Sequence, residues 1–184
     1  MIAGEPAALP EAAIAALRDH LRIEPGQDDA ALDALMLSAL ALCERFTGQV
    51  AIARELQETI PARRDWRRLT PLPVRAITGV SGLPAEGAAF ALDADAYAID
   101  IDAEGQGWVR VTRPGSAGRA IVTLTAGLAD AWAGLPAPIR QGVIRLAAHL
   151  YAHRDDADDP GPPAAVAALW RPWRRLRLGM GVRP

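Results

Sequence analysis

The 184-residue sequence has no lysine and no asparagine, and it contains few of the other residues on which catalytic chemistry often depends. The single cysteine, Cys43, cannot form an internal disulfide and lies on an apolar helical face, so we expect a buried, inert thiol. The three serines, at positions 38, 81 and 116, stand outside any GxSxG pattern. A serine hydrolase is therefore difficult to build from this sequence.

Long apolar runs are also absent. No stretch approaches the ~18 uninterrupted apolar residues that a membrane span requires, and no signal-peptide pattern opens the chain. The formal net charge of -2 gives no overall attraction to nucleic acid or to an anionic membrane. We therefore expect no membrane contact, and an electrostatic partner has to be bound by a local patch. With 51% hydrophobic residues, the chain is long enough for one well-buried core.

The periodicity of the apolar residues predicts an α+β fold in a single domain. Spacings of three and four predict helices at residues 10–21, 29–47, 137–154 and 164–176. From about residue 50 to residue 125 the period changes to two, and prolines and glycines separate short segments, which is typical of a small antiparallel sheet. We thus expect a bundle of about four helices, with the sheet inserted between the second and third helices and an extended tail at residues 177–184.

The stretch from Ile121 to Asp155 carries the clearest pattern in the chain. An alternating strand ends at Gly127, and a helix with prolines in its first turn follows. The apolar band of this third helix is broad, which indicates burial on more than one side. Five side chains on the second and third helices are predicted to supply apolar surface beyond the protein's own core: Leu37, Leu42, Ile144, Ala148 and Tyr151.

Two histidines of the third helix are the best metal candidates. His149 and His153 stand four residues apart, which places both imidazoles on one helical face, and Asp155 or Asp156 would add a carboxylate. A zinc site usually needs three or four ligands, and the HExxH pattern is absent. We therefore expect capping and surface contacts for these histidines, and no metal, cofactor or catalytic residue in this protein.

The C-terminal segment, residues 170–184, is rich in arginine and tryptophan and has no acidic residue. These side chains suit protein interfaces, and they also suit phosphate contact and base stacking, so a protein partner and nucleic acid both remain open. A third interpretation has the arginines fold back on the acidic loop at residues 155–159. The predicted contact residues are Trp170, Arg171, Trp173, Arg174, Arg175, Arg177 and Leu178. A second basic spot surrounds Trp66 and comprises Arg63, Arg64, Arg67 and Arg68.

Several strings in their order along the chain resemble the head-tail connector, or adaptor, family of long-tailed phages and phage-derived gene transfer agents. They are the opening LRDHLRIEPGQDDAALDALMLSALALCERFTG, the sheet segments LPVRAITGV and YAIDIDAEGQGWVRV, the strand exit VTLTAGLAD, and the helix LPAPIRQGVIRLAAHLYAHRDD. These strings span most of the chain, and together they are more specific than any one of them alone.

The resemblance implies a non-enzymatic structural subunit of a homo-oligomeric ring, a dodecamer by the family expectation. The ring joins the portal of a DNA-filled head to tail or stopper proteins, and passive contact with DNA in its lumen is possible. By this reading the protein is synthesised in a bacterial cytoplasm and resides in a virion or phage-like particle, at the head-tail interface. The C-terminal segment would contact the portal, and the five apolar helix residues would meet a neighbouring subunit. The alternative is a nucleic-acid-binding module that acts through the C-terminal arginines and tryptophans.

Overall fold

The computed structural model describes residues 1–26, 28–153 and 162–175, which form an α+β fold of four α-helices and antiparallel strands. The helices are α1 Glu11–Leu21, α2 Asp29–Thr47, α3 Ala137–Ala152 and α4 Ala164–Trp170. The strands are β1 Ile2–Gly4, β2 Arg54–Pro61, β3 Arg67–Arg68, β4 Val74–Leu83, β5 Phe90–Ala91, β6 Tyr97–Ile101, β7 Gly107–Val111 and β8 Arg119–Ala126. No helix in these described ranges is long and apolar enough to cross a membrane.

The described residues group into two compact units, and the helices make up one of them. In this helical unit α3 packs against α1, α2 and α4. Pro136 and Pro138 lie at the start of α3, where a missing backbone N–H breaks no helical hydrogen bond. The core is built from aliphatic residues that recur at spacings of three and four, and its fully buried members include Leu17, Leu32, Met36, Leu40, Ile139 and Leu146.

The second unit contains the strands, and its larger sheet has the order β1-β2-β8-β4-β5. The central strand β8 follows the alternation read from its sequence. Val122 and Leu124 are fully buried, whereas Ile121, Thr123 and Thr125 on the opposite face are only half-buried. The period of two in the sequence therefore corresponds to one core-facing side and one more open side of this sheet.

A smaller, three-stranded sheet has the order β3-β7-β6. Its strands β6 and β7 form a hairpin, with Ile99 opposite Val109. In the turn, a carboxylate oxygen of Asp102 accepts hydrogen bonds from the backbone N–H groups of Glu104 and Gln106, at 3.1 and 2.8 Å. The glycines of this turn thus belong to a β-hairpin.

The structure differs from the predicted arrangement in three places. The strands form two sheets instead of one, and β1 precedes α1 and pairs with β2, so the strands are not wholly an insertion between the second and third helices. The fourth helix ends at Trp170, not at residue 176, because Pro172 has no N–H to donate and its ring would clash with the carbonyl of the preceding turn. The third helix was predicted to reach residue 154, and the part of it that the structure describes ends at Ala152. The expectation that the chain forms a single domain stays a prediction.

Cys43 lies in the core of the helical unit, and burial raises the pKa of its thiol to about 12. The unfolded thiol ionises near its ordinary value of 9.0, so above this pH the unfolded state holds fewer protons than the folded state. We therefore expect the free energy of unfolding to fall as pH rises from 9 toward 12, by at most ~1.4 kcal/mol per pH unit from this group.

The absence of lysine makes this effect easier to measure, because no lysine ammonium groups titrate in the same alkaline range. Urea unfolding between pH 8 and 11 should show a steeper alkaline loss in the wild type than in Cys43→Ala. Equal slopes in the two proteins would contradict the assigned burial. Native Cys43 should also resist alkylation at neutral pH and react only after unfolding.

Candidate partner-binding surfaces

Trp170, the last residue of α4, is fully buried against the flank of α3. A Cβ atom added at Gly142 of α3 would lie 2.1 Å from the indole Nε1, so only glycine leaves room for the ring. The ring centroids of Trp170 and Phe46 are 5.8 Å apart, and Nε1 donates to the carbonyl of Ile139 at 3.4 Å. Trp170 therefore anchors the C-terminal segment in the core of the helical unit.

Residues 171–175 continue from this anchor along the end of α2. After a short 3-10 turn, the backbone N–H of Arg175 donates to the carbonyl of Thr47 at 2.8 Å. The side-chain amide of Gln49 donates to the carbonyl of Trp173 at 2.5 Å. The chain path of this segment is thus fixed by hydrogen bonds on both sides of Arg174.

Three exposed arginines project from this docked segment: Arg171, Arg174 and Arg175, which we call the arginine face. The guanidinium carbon of Arg174 lies 5.5 Å from the centroid of the Phe46 ring, a favourable cation–π distance. Guanidinium groups on an ordered backbone can pair with carboxylates or phosphates without further ordering of the main chain.

Trp170 was predicted as a partner contact, but its side chain is fully buried inside the protein. The protein's own helices α2 and α3 enclose its ring, so this residue supports the arginine face and presents no surface of its own. Trp173 is half-buried. The predicted contacts Arg177 and Leu178 lie outside the described residues, as does the acidic loop at residues 155–159.

The prediction that Ile144 and Ala148 meet something other than their own core is also corrected. They are only 7% and 9% exposed, because α3 is surrounded by three helices of the same chain and these cover its broad apolar band. The apolar band is broad because three helices of the same chain pack around α3, so its width is explained without a second subunit. The other three predicted interface residues, Leu37, Leu42 and Tyr151, have different surroundings.

Tyr151 ties two helices of one chain together. Its hydroxyl donates to a carboxylate oxygen of Asp28 at 2.7 Å, which joins the end of α3 to the start of α2. Leu37 is half-buried, and Leu42 is exposed on α2. Of the five predicted interface residues, Leu42 therefore offers the most accessible apolar side chain.

The rings of the two histidines of α3 lie next to each other, tilted by 35°. The ring centroids of His149 and His153 are 4.2 Å apart, and Nδ1 of His153 lies 2.9 Å from the carbonyl oxygen of His149. Within residues 1–26, 28–153 and 162–175, no three His, Cys, Asp or Glu side chains cluster closely enough to hold a metal ion. Asp155 and Asp156, the proposed further ligands, are outside these ranges.

The second basic spot lies at one edge of the three-stranded sheet, and sequence reasoning missed its neighbour Arg110. The Arg110 guanidinium carbon lies 4.7 Å from the centroid of the Trp66 ring. The opposite edge strand, β6, exposes Ile99 and Ile101. Gly142 was also missed, although a glycine inside an apolar helical pattern is a recognised signal of close packing.

The chain is similar to chains in three solved structures. No family model and no curated protein matches the chain. A chain in the neck of a native GTA particle, computed with C12 symmetry, is 30% identical with a TM-score of 0.75, over 98% of both chains. A chain in the neck of an empty GTA particle, computed with C6 symmetry, is 29% identical with a TM-score of 0.77, again over 98% of both chains.

A third match comes from the virion of a native gene transfer agent (GTA) particle, at 29% identity and a TM-score of 0.73 over 98% of both chains. These matches extend over nearly the whole length, so they cover both compact units, and they confirm the resemblance drawn from the sequence strings. The chain therefore belongs to the phage head-tail connector-like family of gene transfer agent particles.

Proposed function

We propose that this protein is a structural, non-enzymatic subunit of a homo-oligomeric ring in the neck of a phage-like particle. The ring joins the portal of the DNA-filled head to the tail or stopper proteins. The observation that carries the proposal is the full-length match to a neck chain whose structure was computed with C12 symmetry. A dodecamer of the present chain fits that symmetry, and the particle neck is the location expected from the sequence.

The arginine face is the surface that we assign to the portal contact. Arg171, Arg174 and Arg175 are exposed, while the backbone that carries them is hydrogen-bonded to Thr47 and Gln49. Because the backbone that carries these arginines is already ordered, pairing with carboxylates costs less backbone entropy than it would for a free tail. Passive contact with DNA in the ring lumen is compatible with the same positive charge.

The test reverses the charge of two arginines on this face and leaves the anchoring residue Trp170 unchanged. In cells that lack the native gene, Arg171→Glu with Arg174→Glu should lower the fraction of heads joined to tails by about tenfold, since reversed charge repels an acidic partner. Arg145→Glu, at an exposed position of α3, is the control and should leave attachment near the wild-type level. Electron microscopy of purified particles and the amount of this protein on isolated heads provide the two readouts.

Attachment that is normal in the double variant would contradict the role of the arginine face. Particles with joined heads and tails in the complete absence of this protein would contradict the connector function itself. DNA binding by the purified protein that weakens steeply with salt, together with normal head attachment in the double variant, would instead favour the nucleic-acid-binding alternative. Thermal unfolding of each variant shows whether the fold has been preserved.

A further inference from the structure

The three-stranded sheet carries opposite charge on its two edges. β3 forms one edge and β6 the other, because β7 lies between them. Residues 63–68, which we call the basic edge, contain four arginines and one aspartate. Residues 93–104, which we call the acidic edge, contain five carboxylates and no arginine. A sheet only three strands wide therefore presents two different, electrostatically complementary sides.

The basic edge is held in place by the sheet. Arg63 and Arg64 are exposed, and the carbonyl of Arg63 accepts a hydrogen bond from the N–H of Val111 at 2.8 Å. Trp66 is half-buried with the Arg110 guanidinium over its ring. The exposed guanidinium groups thus extend from an ordered backbone beside an aromatic ring, a combination that is common in interface hot spots.

The acidic edge presents carboxylates in different surroundings. Asp93 and Glu104 are exposed at the two ends of β6. Asp95 forms an ion pair with Arg113, and this contact lowers the pKa of its carboxyl group. The Asp102 carboxylate accepts hydrogen bonds from the hairpin turn. Exposed carboxylates therefore lie both before and after β6 along the chain.

An apolar strip lies between these carboxylates. Ile99 and Ile101 are 44% and 37% exposed, although their cross-strand neighbours Val109 and Gly107 are buried. The buried face of the sheet therefore continues onto β6 and is left uncovered there. An edge strand with exposed isoleucines is a natural docking place for another chain.

We infer that the acidic edge of one subunit packs against the basic edge of a second copy of this chain, and that this contact builds the ring. The inference rests on the proposed function. A ring closed by head-to-tail contacts needs two different, complementary surfaces on every subunit, and the opposite edges of one sheet satisfy this requirement. Carboxylate–guanidinium pairs fix the direction of the contact, while Ile99 and Ile101 pack beside Trp66 and exclude water.

Cross-linking between two differently marked subunits tests this contact directly. Ile99→Cys is produced in one copy and Arg64→Cys in a second, affinity-tagged copy within the same cells, and assembled particles are treated with a short bis-maleimide. We expect a cross-linked dimer that contains one copy of each variant. Either variant alone should give no dimer, because a head-to-tail contact never brings the same site of two subunits together. Native Cys43 is buried and unreactive.

Thr78→Cys is the matched control, since Thr78 is an exposed strand residue of the larger sheet. Paired with Arg64→Cys it should give no dimer. Particles that contain the protein in their necks but yield no dimer between Ile99→Cys and Arg64→Cys would overturn the inference and leave the connector function intact. A dimer from Ile99→Cys alone would also overturn it, because it would reveal a contact between two β6 edges. Absence of the protein from particle necks would contradict the connector function.

Charge reversal provides an independent arm. Arg63→Glu with Arg64→Glu should lower the yield of complete particles by about tenfold, because like charges would face each other at every contact. Adding Asp93→Arg with Glu104→Arg to the same chain should restore most of this yield. A fourfold variant that assembles no better than the double variant, with an unchanged thermal unfolding midpoint, would contradict the pairing of these edges.

Discussion

Gly142→Ala should destabilise the helical unit by about 3 kcal/mol, although alanine is the better helix former. The added methyl group would lie 2.1 Å from Nε1 of Trp170 and 2.6 Å from its Cε2, well inside van der Waals contact. The ring is fully buried and cannot swing into solvent without leaving α3. We expect a clear fall in the free energy of unfolding measured in urea, with loss of the native tryptophan fluorescence.

A double-mutant cycle identifies the cause. Trp170→Ala alone should cost ~3–5 kcal/mol, because it empties a fully enclosed ring site. In that background Gly142→Ala should change sign and stabilise the protein by up to about 1 kcal/mol, the ordinary helix preference of alanine over glycine. If Gly142→Ala destabilises equally with and without the indole, the steric explanation fails.

Leu124→Ala is the second large effect. Leu124 is fully buried on β8, the central strand of the larger sheet, with β2 on one side and β4 on the other. Truncation to alanine should lower the free energy of unfolding by ~2–5 kcal/mol, through lost burial and the cavity that remains. Urea unfolding followed by far-ultraviolet circular dichroism measures this change.

The neighbouring residue Thr123 provides the control. It points to the opposite, more open side of the same strand, so Thr123→Ala should cost only about 1 kcal/mol or less. The large difference between adjacent positions tests the strand register, since a shift by one residue would exchange the two faces. Similar losses at both positions would contradict the assigned register.

Much of the fold could be predicted from periodicity because some elements bury one regular face. The alternation around Leu124 matches the buried face of β8, and the turn after Asp102 matches a two-stranded hairpin. Local pattern and tertiary environment agree at these places. The strand β1 was missed because its three residues have no measurable period, and pairing with the distant strand β2 creates it.

The candidate surfaces were harder to predict, since a sequence pattern shows that a side chain is apolar but not which chain covers it. Ile144 resembles a subunit contact in sequence, yet helices of the same chain bury it. Trp170 resembles a partner contact, yet its site is made by a glycine 28 positions earlier in the chain. Ile99 lies on β6, and the sheet order shows that this strand forms an edge of the three-stranded sheet.

The docking of residues 171–175 also determines how this segment responds to force. A pull on Arg174 is transmitted to α3 through the enclosed indole, and to the end of α2 through the hydrogen bonds at Thr47 and Gln49. The load is shared between two helices, so the segment detaches only after both attachments fail. For the proposed portal contact, we therefore expect the strength of attachment to depend on the core of the protein as well as on its surface charge.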